Sequence, residues 1–138
     1  MSERPITPVA VGILLRADGD VLFAQRPRGK PYAGYWEFPG GKIESGESAR
    51  QALARELHEE LDVVVTDATW LLTQLHDYPH ALVELQFFIV HGWTGEIDPQ
   101  EGQAFAWQTP GSYTVEPMLP ALLTEDSEVL SRIEARLR

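Results

Sequence analysis

Three glutamates, Glu56, Glu59 and Glu60, stand three and four residues apart in a stretch otherwise built from alanine, leucine, arginine and other good helix formers. On a helix, residues at those spacings share a face, with Cβ atoms about 5–6 Å apart. With Leu53 at the centre of the buried face and about 100° per residue, Ala49, Ala52, Leu57 and Leu61 form a core stripe. Glu56 and Glu60 fall inside the same arc, at about 60° and 20° from its centre, and Glu59 lies at its edge. Carboxylates thus occupy positions where a plain amphipathic helix places leucine. An unpaired buried carboxylate costs several kcal/mol, and clustered ones repel each other. A hard divalent cation, which takes oxygen ligands, relieves both penalties. The plainer alternative is a solvated acidic face, with Arg50 and Arg55 forming surface pairs worth roughly a few tenths of a kcal/mol each.

The elements that must position these acids can be read from local signals. The helix spans about Ala49 to Leu61, with Ser48 as cap and Gln51 completing a capping box. Before it, Val9–Leu15 and Val21–Gln25 flank Asp18-Gly19, which predicts a hairpin. Arg26 to Tyr35, with two prolines, two glycines and three cations, reads as a loop. Gly40-Gly41 then punctuates a short element. Leu71–Leu75, Ala81–Val90 and Phe105–Gln108 read as strands. From Leu119 the chain turns helical again, with Val129, Leu130, Ile133 and Leu137 at helical spacing. Strands, a central helix, more strands and a terminal helix predict an α/β fold with a mixed sheet, in one domain spanning residues 1–138.

Composition narrows the partners. The chain has 138 residues, no cysteine and a formal net charge of -10. Disulfides and thiolate metal sites are excluded. An acidic surface repels polymeric nucleic acid, and a small phosphorylated substrate requires a cation between it and the protein. No run approaches the roughly 20 apolar residues of a membrane helix. Met1 to Pro8 lacks the apolar core of a signal peptide, so the expected location is the cytoplasm.

Gly41, Glu47, Arg55-Glu56-Leu57, Glu59-Glu60 and Val63 together resemble the Nudix box, Gly-x5-Glu-x7-Arg-Glu-U-x-Glu-Glu-x-Gly-U with U aliphatic. The one departure is Asp62 in place of the second glycine. That position follows the helix end, where left-handed backbone is common, and aspartate tolerates it at a cost of about 1 kcal/mol. Gln25-Arg26-Pro27, Gly34 through Lys42, Glu101-Gly102-Gln103 and Trp107 are similar to the MutT branch. The resemblance implies an α/β/α sandwich around a central mixed β-sheet. It also implies a magnesium-dependent nucleoside triphosphate pyrophosphohydrolase, with manganese as a substitute metal.

By position, the resemblance makes Glu56, Glu59 and Glu60 metal-binding acids and Glu47 an outer acid that organises ligands or water. Gly40 offers a backbone carbonyl to metal, and Glu101 completes the metal site or acts as base. Arg55 orients the glutamates and steadies the preceding loop. The resemblance to the MutT branch further implies that water attacks the β-phosphorus, releasing nucleoside monophosphate and pyrophosphate, with Glu56 and Glu101 both open as proton acceptor. Lys42 and Arg26 are candidates for phosphate contacts, although Arg26 is equally suited to a structural ion pair. Phe38 and Tyr78 are candidates for stacking on a base, while Trp36 and Trp107 read as core and His58 as solvated.

Oxidised guanine nucleotides, 8-oxo-dGTP above all, are the leading substrate, in keeping with nucleotide-pool sanitation. In MutT-type recognition, however, the resemblance puts an asparagine before the last helix, and this chain contains none. Glu116 is the charged side chain in the matching segment Thr114–Pro120. Another nucleotide, such as CTP or a modified pyrimidine triphosphate, is the second reading. A non-catalytic nucleotide-sensing module is the third, and retention of every box acid counts against it. Monomer and homodimer both remain open.

Overall fold

A computed structural model describes residues 4–120 and 129–137. Among these residues the elements are β1 (Ile6–Leu14), β2 (Val21–Gln25), β3 (Trp36–Glu37), β4 (Gly40–Lys42), α1 (Ala49–Leu61), β5 (Val64–Asp77), β6 (Leu82–Thr94), β7 (Phe105–Gln108) and α2 (Val129–Leu137). The larger sheet has the order β4-β1-β6-β5. Its central pair, β1 and β6, is parallel from Ile6↔Leu82 to Leu14↔Val90, whereas β4 and β5 join antiparallel, so the sheet is mixed. A smaller antiparallel sheet has the order β3-β2-β7.

Both faces of β1 are covered, which is why it reads as a continuous apolar run. Ala10 and Leu14 face α1, packing with Leu53, Leu57, Leu61, Phe88 and Val90. Val11 and Ile13 face the other way, toward Phe23, Phe87 and Ile133, with Leu130 and Leu137 of α2 alongside. Leu53, Leu57 and Ile133 are fully buried, and such burial contributes about 1.5–3 kcal/mol per side chain. Helices on opposite faces of the mixed sheet make the expected α/β/α sandwich. Among the described residues, no helix is long and apolar enough to cross a membrane.

Three expectations need correction. The Asp18-Gly19 turn forms, with the Gly19 N–H donating to Arg16 O at 2.9 Å, but β1 and β2 do not make a hairpin. They share a single bridge, Leu15↔Val21, and then part, because β4 and β6 already occupy both edges of β1. β5 is far longer than Leu71–Leu75; register shifts near Val65, Asp67 and Trp70 break the alternation that sequence reading depends on. β6 continues past Val90 to Thr94, through a Gly92 whose added Cβ would lie 2.8 Å from Thr66 Oγ1. The helical stretch expected from Leu119 lies mostly outside the described residues until α2 begins.

α1 matches its expected span. The Ser48 hydroxyl accepts from Gln51 N at 3.0 Å and Gln51 Oε1 accepts from Ser48 N at 2.8 Å, the reciprocal box. At its other end Asp62 adopts the left-handed conformation, φ 58° and ψ 37°, and its N–H donates to His58 O.

Candidate active site and metal centre

Two glycines set how closely the acidic helix approaches the sheet. A Cβ on Gly12 would lie 3.0 Å from Leu53 Cδ1 and 3.1 Å from Leu57 Cδ1, so its absence lets α1 settle on β1. A Cβ on Gly41 would stand 2.7 Å from Glu56 Oε1 and closer still to the carboxyl carbon. The bare backbone of β4 is therefore the notch that receives the Glu56 carboxylate. One residue earlier, the Gly40 backbone favours the charged form of Glu60 against the stronger influences that oppose it.

The Glu60 carboxyl is pushed up to about 8, first by burial and then by the negative charges of Glu37 and Glu56. Glu37, on β3, is also held above the usual carboxylate range by burial, against the pull of Arg26 and Lys30. Arg26 Nη1 donates to Glu37 Oε1 at 3.0 Å and Oε2 at 3.2 Å, and its Nε donates to Pro31 O at 2.7 Å. Arg26 lines the cavity with its guanidinium engaged in an ion pair, the structural of the two roles expected for it.

Arg55 gathers the remaining box acids. Its Nε and Nη2 donate to Glu47 Oε2 and Oε1 at 2.7 and 2.9 Å, a bidentate pair. Nη1 donates to Glu56 Oε1 at 2.9 Å and Glu59 Oε2 at 3.3 Å, while Nη2 also donates to Lys42 O at 3.0 Å. The Arg55 hydrogen bonds hold the Glu47 carboxyl down at about 2, helped by the Glu44 backbone. One guanidinium therefore joins the loop before the helix to two carboxylates on it.

These acids open onto a cavity of about 910 Å³. Its lining includes Gly40, Glu56, Glu59, Glu60, Glu101 and Lys42. Glu101 arrives on a loop tied to the end of α1, where Asp98 N donates to Leu61 O and Gln100 N to Glu60 O, both at 2.9 Å. Phe38 lines the cavity as part of its floor; it is 3% exposed and its ring centroid lies 4.4 Å from that of Phe23. Tyr78 also lines the cavity, but contrary to its expected place as a stacking surface it is 6% exposed, packed among His76, His80 and Tyr32 at 4.3, 5.2 and 5.3 Å.

Glu116 is not brought to this cavity: it lines a separate hollow with Tyr113, Met118 and Leu130. Trp36 packs against the α2-side core. Trp107 is half-buried beneath the Arg16 guanidinium, 4.1 Å from its ring centre, and His58 is exposed. Sequence reading missed Glu37, Lys30, Tyr32 and His80 as cavity residues. Glu37 carried one usable signal, a carboxylate between Trp36 and Phe38 in an aromatic stretch.

Among the described residues, no three acidic or histidine side chains form a closed ligand set. Glu56 and Glu60 instead share a cavity wall, with Glu56 in the Gly41 notch and Glu60 strained by two neighbouring carboxylates. Such oxygen donors, whose repulsion a positive charge relieves, fit a hard divalent cation.

The profile described as the NUDIX domain matches residues 6–132. An 8-oxo-dGTP diphosphatase of Proteus vulgaris is 40% identical over 74% of this chain and 91% of its own. A CTP pyrophosphohydrolase of Escherichia coli K12 is 37% identical over 80% of this chain and 82% of its own. Among solved structures, that of the E. coli ORF135 protein superposes with a TM-score of 0.76 at 34% identity, over 96% of this chain and 91% of that one. The crystal structure of a MutT NUDIX hydrolase from Burkholderia pseudomallei gives 0.79 at 24% identity, over 94% and 98%, a likeness of fold. The chain belongs to the NUDIX family, as a hydrolase of phosphoric anhydrides that works with a divalent metal.

Proposed function

We propose that the protein is a MutT-type nucleoside triphosphate pyrophosphohydrolase that converts 8-oxo-dGTP to 8-oxo-dGMP and pyrophosphate in the cytoplasm. The observation that carries the chemistry is the crowding of Glu60 by Glu37 and Glu56 on the wall of an open cavity. Glu56, Glu59 and Glu60, with the Gly40 carbonyl and Glu101, would hold magnesium (or manganese), which when bound neutralises phosphate charge and lowers the pKa of water. Arg55 fixes Glu56 and Glu59, and Glu47 in turn fixes Arg55 through its bidentate contact. A cavity carboxylate, Glu56 or Glu101, takes the proton of the water that attacks the β-phosphorus. The bond from that phosphorus to the α–β bridging oxygen breaks, and its electrons leave with the nucleoside monophosphate. Lys42 supports the polyphosphate as a point charge. The -10 net charge disfavours polymeric nucleic acid as an alternative partner.

The Proteus relative supports 8-oxo-dGTP as substrate. Hydrolysis of CTP is favoured by a different observation: the chain has no asparagine, and Glu116 lies outside the main cavity. The E. coli CTP pyrophosphohydrolase accords with that reading. A panel of 8-oxo-dGTP, dGTP, CTP and dCTP with magnesium, with products resolved, separates the two. Preference for 8-oxo-dGTP with release of pyrophosphate supports the proposal; preference for CTP replaces its substrate and keeps its chemistry. Loss of turnover in Glu56→Gln and Glu60→Gln is expected, and full activity in both would refute the assigned metal site.

A further inference from the structure

The chain has two lysines, Lys30 and Lys42, and both line the cavity of an otherwise strongly acidic protein. Arg26, the third basic residue of that lining, is engaged with Glu37 and the Pro31 carbonyl. Among the described residues neither lysine has an ion-pair partner within 4.0 Å, whereas Arg26 pairs with Glu37 at 3.0 Å and Arg55 with Glu47 at 2.7 Å. Their charges are therefore available to a ligand. They reach it from different segments of the chain. Lys42 directly follows the Gly41 notch, and its carbonyl binds Arg55. Lys30 lies in the loop between β2 and β3, where its charge acts on both Glu37 and Glu60.

That loop is held in shape. The Arg26 guanidinium pins the Pro31 carbonyl, and Gln25 Nε2 donates to Gly34 O at 3.0 Å. Gly29 has φ 87°, and Tyr32 takes the left-handed conformation at φ 59°, which a bulky residue adopts when its surroundings require it. Tyr32 packs on Tyr35, Tyr78 and His80, with ring centroids 5.1, 5.3 and 6.0 Å away. Lys30 thus stands two residues from an aromatic rim and in the field of the carboxylate wall.

We propose that Lys30 is the cation that binds the phosphate retained by the nucleoside, seated between the aromatic rim and the acidic helix. This rests on the pyrophosphohydrolase reading above. On this assignment a nucleotide whose base lies at Tyr32 and His80 turns its α-phosphate toward Lys30 and its β- and γ-phosphates toward Lys42. Lys30 therefore holds the monophosphate product, and Lys42 contacts the pyrophosphate.

Binding of the nucleoside monophosphate product and of inorganic pyrophosphate, each measured by calorimetry on the whole protein with magnesium, tests this assignment. Lys30→Ala is expected to weaken monophosphate binding about 10-fold or more, the usual scale for a lost charge-assisted contact, and to leave pyrophosphate within about twofold. Lys42→Ala should show the opposite pattern, and Lys30→Arg should recover most of the monophosphate affinity. In steady-state kinetics Lys30→Ala should lower kcat as well as raise KM, because the leaving monophosphate takes up the electrons of the broken bond. Unchanged monophosphate affinity in Lys30→Ala, or equal weakening of both products, overturns the assignment while leaving the hydrolase intact. A wild-type protein that binds no nucleoside monophosphate overturns both the assignment and the reading beneath it.

Discussion

Arg55 is the side chain on which most of the site's geometry depends. A lysine in its place keeps the charge but cannot make the fork that spans Glu47, nor reach Glu56, Glu59 and the Lys42 carbonyl together. Arg55→Lys should therefore lower kcat about 10–100-fold, the usual cost of losing a contact that orients metal ligands. Glu47 adds a pH signature. Its folded pKa of about 2 lies below the ordinary 4.5, so its stabilising contribution is complete above about pH 4.5 and is lost as pH falls toward 2. Melting temperature measured from pH 6 to pH 2 should fall less steeply in Arg55→Ala than in the wild type, from a lower starting value. Parallel acid limbs would show that Glu47 draws its low pKa from elsewhere.

At the scale of elements, the contact between β4 and α1 separates function from folding. A methyl group on Gly41 meets the end of a flexible side chain, so the Glu56 carboxylate swings aside while the strand stays paired with β1. Gly41→Ala should keep its melting temperature within a few degrees and lose about 100-fold in kcat, the scale expected for a ligand displaced by about 1 Å. A large drop in stability with activity retained would mean that the notch serves packing alone. At the end of α1, Asp62 holds a conformation that glycine takes without strain. Denaturant unfolding of Asp62→Gly should show a gain of about 0.5–1 kcal/mol with kcat unchanged.

These elements also show where sequence reading stops. α1 was legible because its cap, its stripe and its acids repeat at the period of one helix, which is local information. The β1–β2 turn was legible and the pairing was not, since the partners of β1 come from Gly40 and Leu82, distant in the chain. Glu37 and Lys30 escaped for the same reason. They meet Glu60 only once β3 and its preceding loop are set beside the end of the helix. β5 was underestimated because its register shifts destroy the alternation from which a strand is recognised.

Over the whole molecule, the -10 charge and the carboxylate wall make the metal-free protein a strained state. The sign for Glu60 is opposite to that for Glu47. Its folded pKa of about 8 lies above 4.5, so the folded metal-free protein retains a proton that the unfolded chain releases, and stability falls as pH rises between those values. A divalent cation requires that proton to leave, so metal affinity should rise with pH through about 8, with proton release on binding. A ligand at 100 times its Kd stabilises the folded state by about 2.7 kcal/mol. The melting temperature should therefore rise on adding magnesium, more at pH 8.5 than at pH 6.5, and return to its starting value on chelation. Glu60→Gln removes the crowded charge and the proposed metal ligand together. With chelator at pH 8 it should be more stable than the wild type by about 1–3 kcal/mol, the scale set by 1.36 kcal/mol per pKa unit after allowance for solvent screening. Its response to magnesium should be weak at either pH. A variant destabilised with chelator would mean that Glu60 holds the fold together instead of straining it, and a full magnesium response would place the metal on other acids.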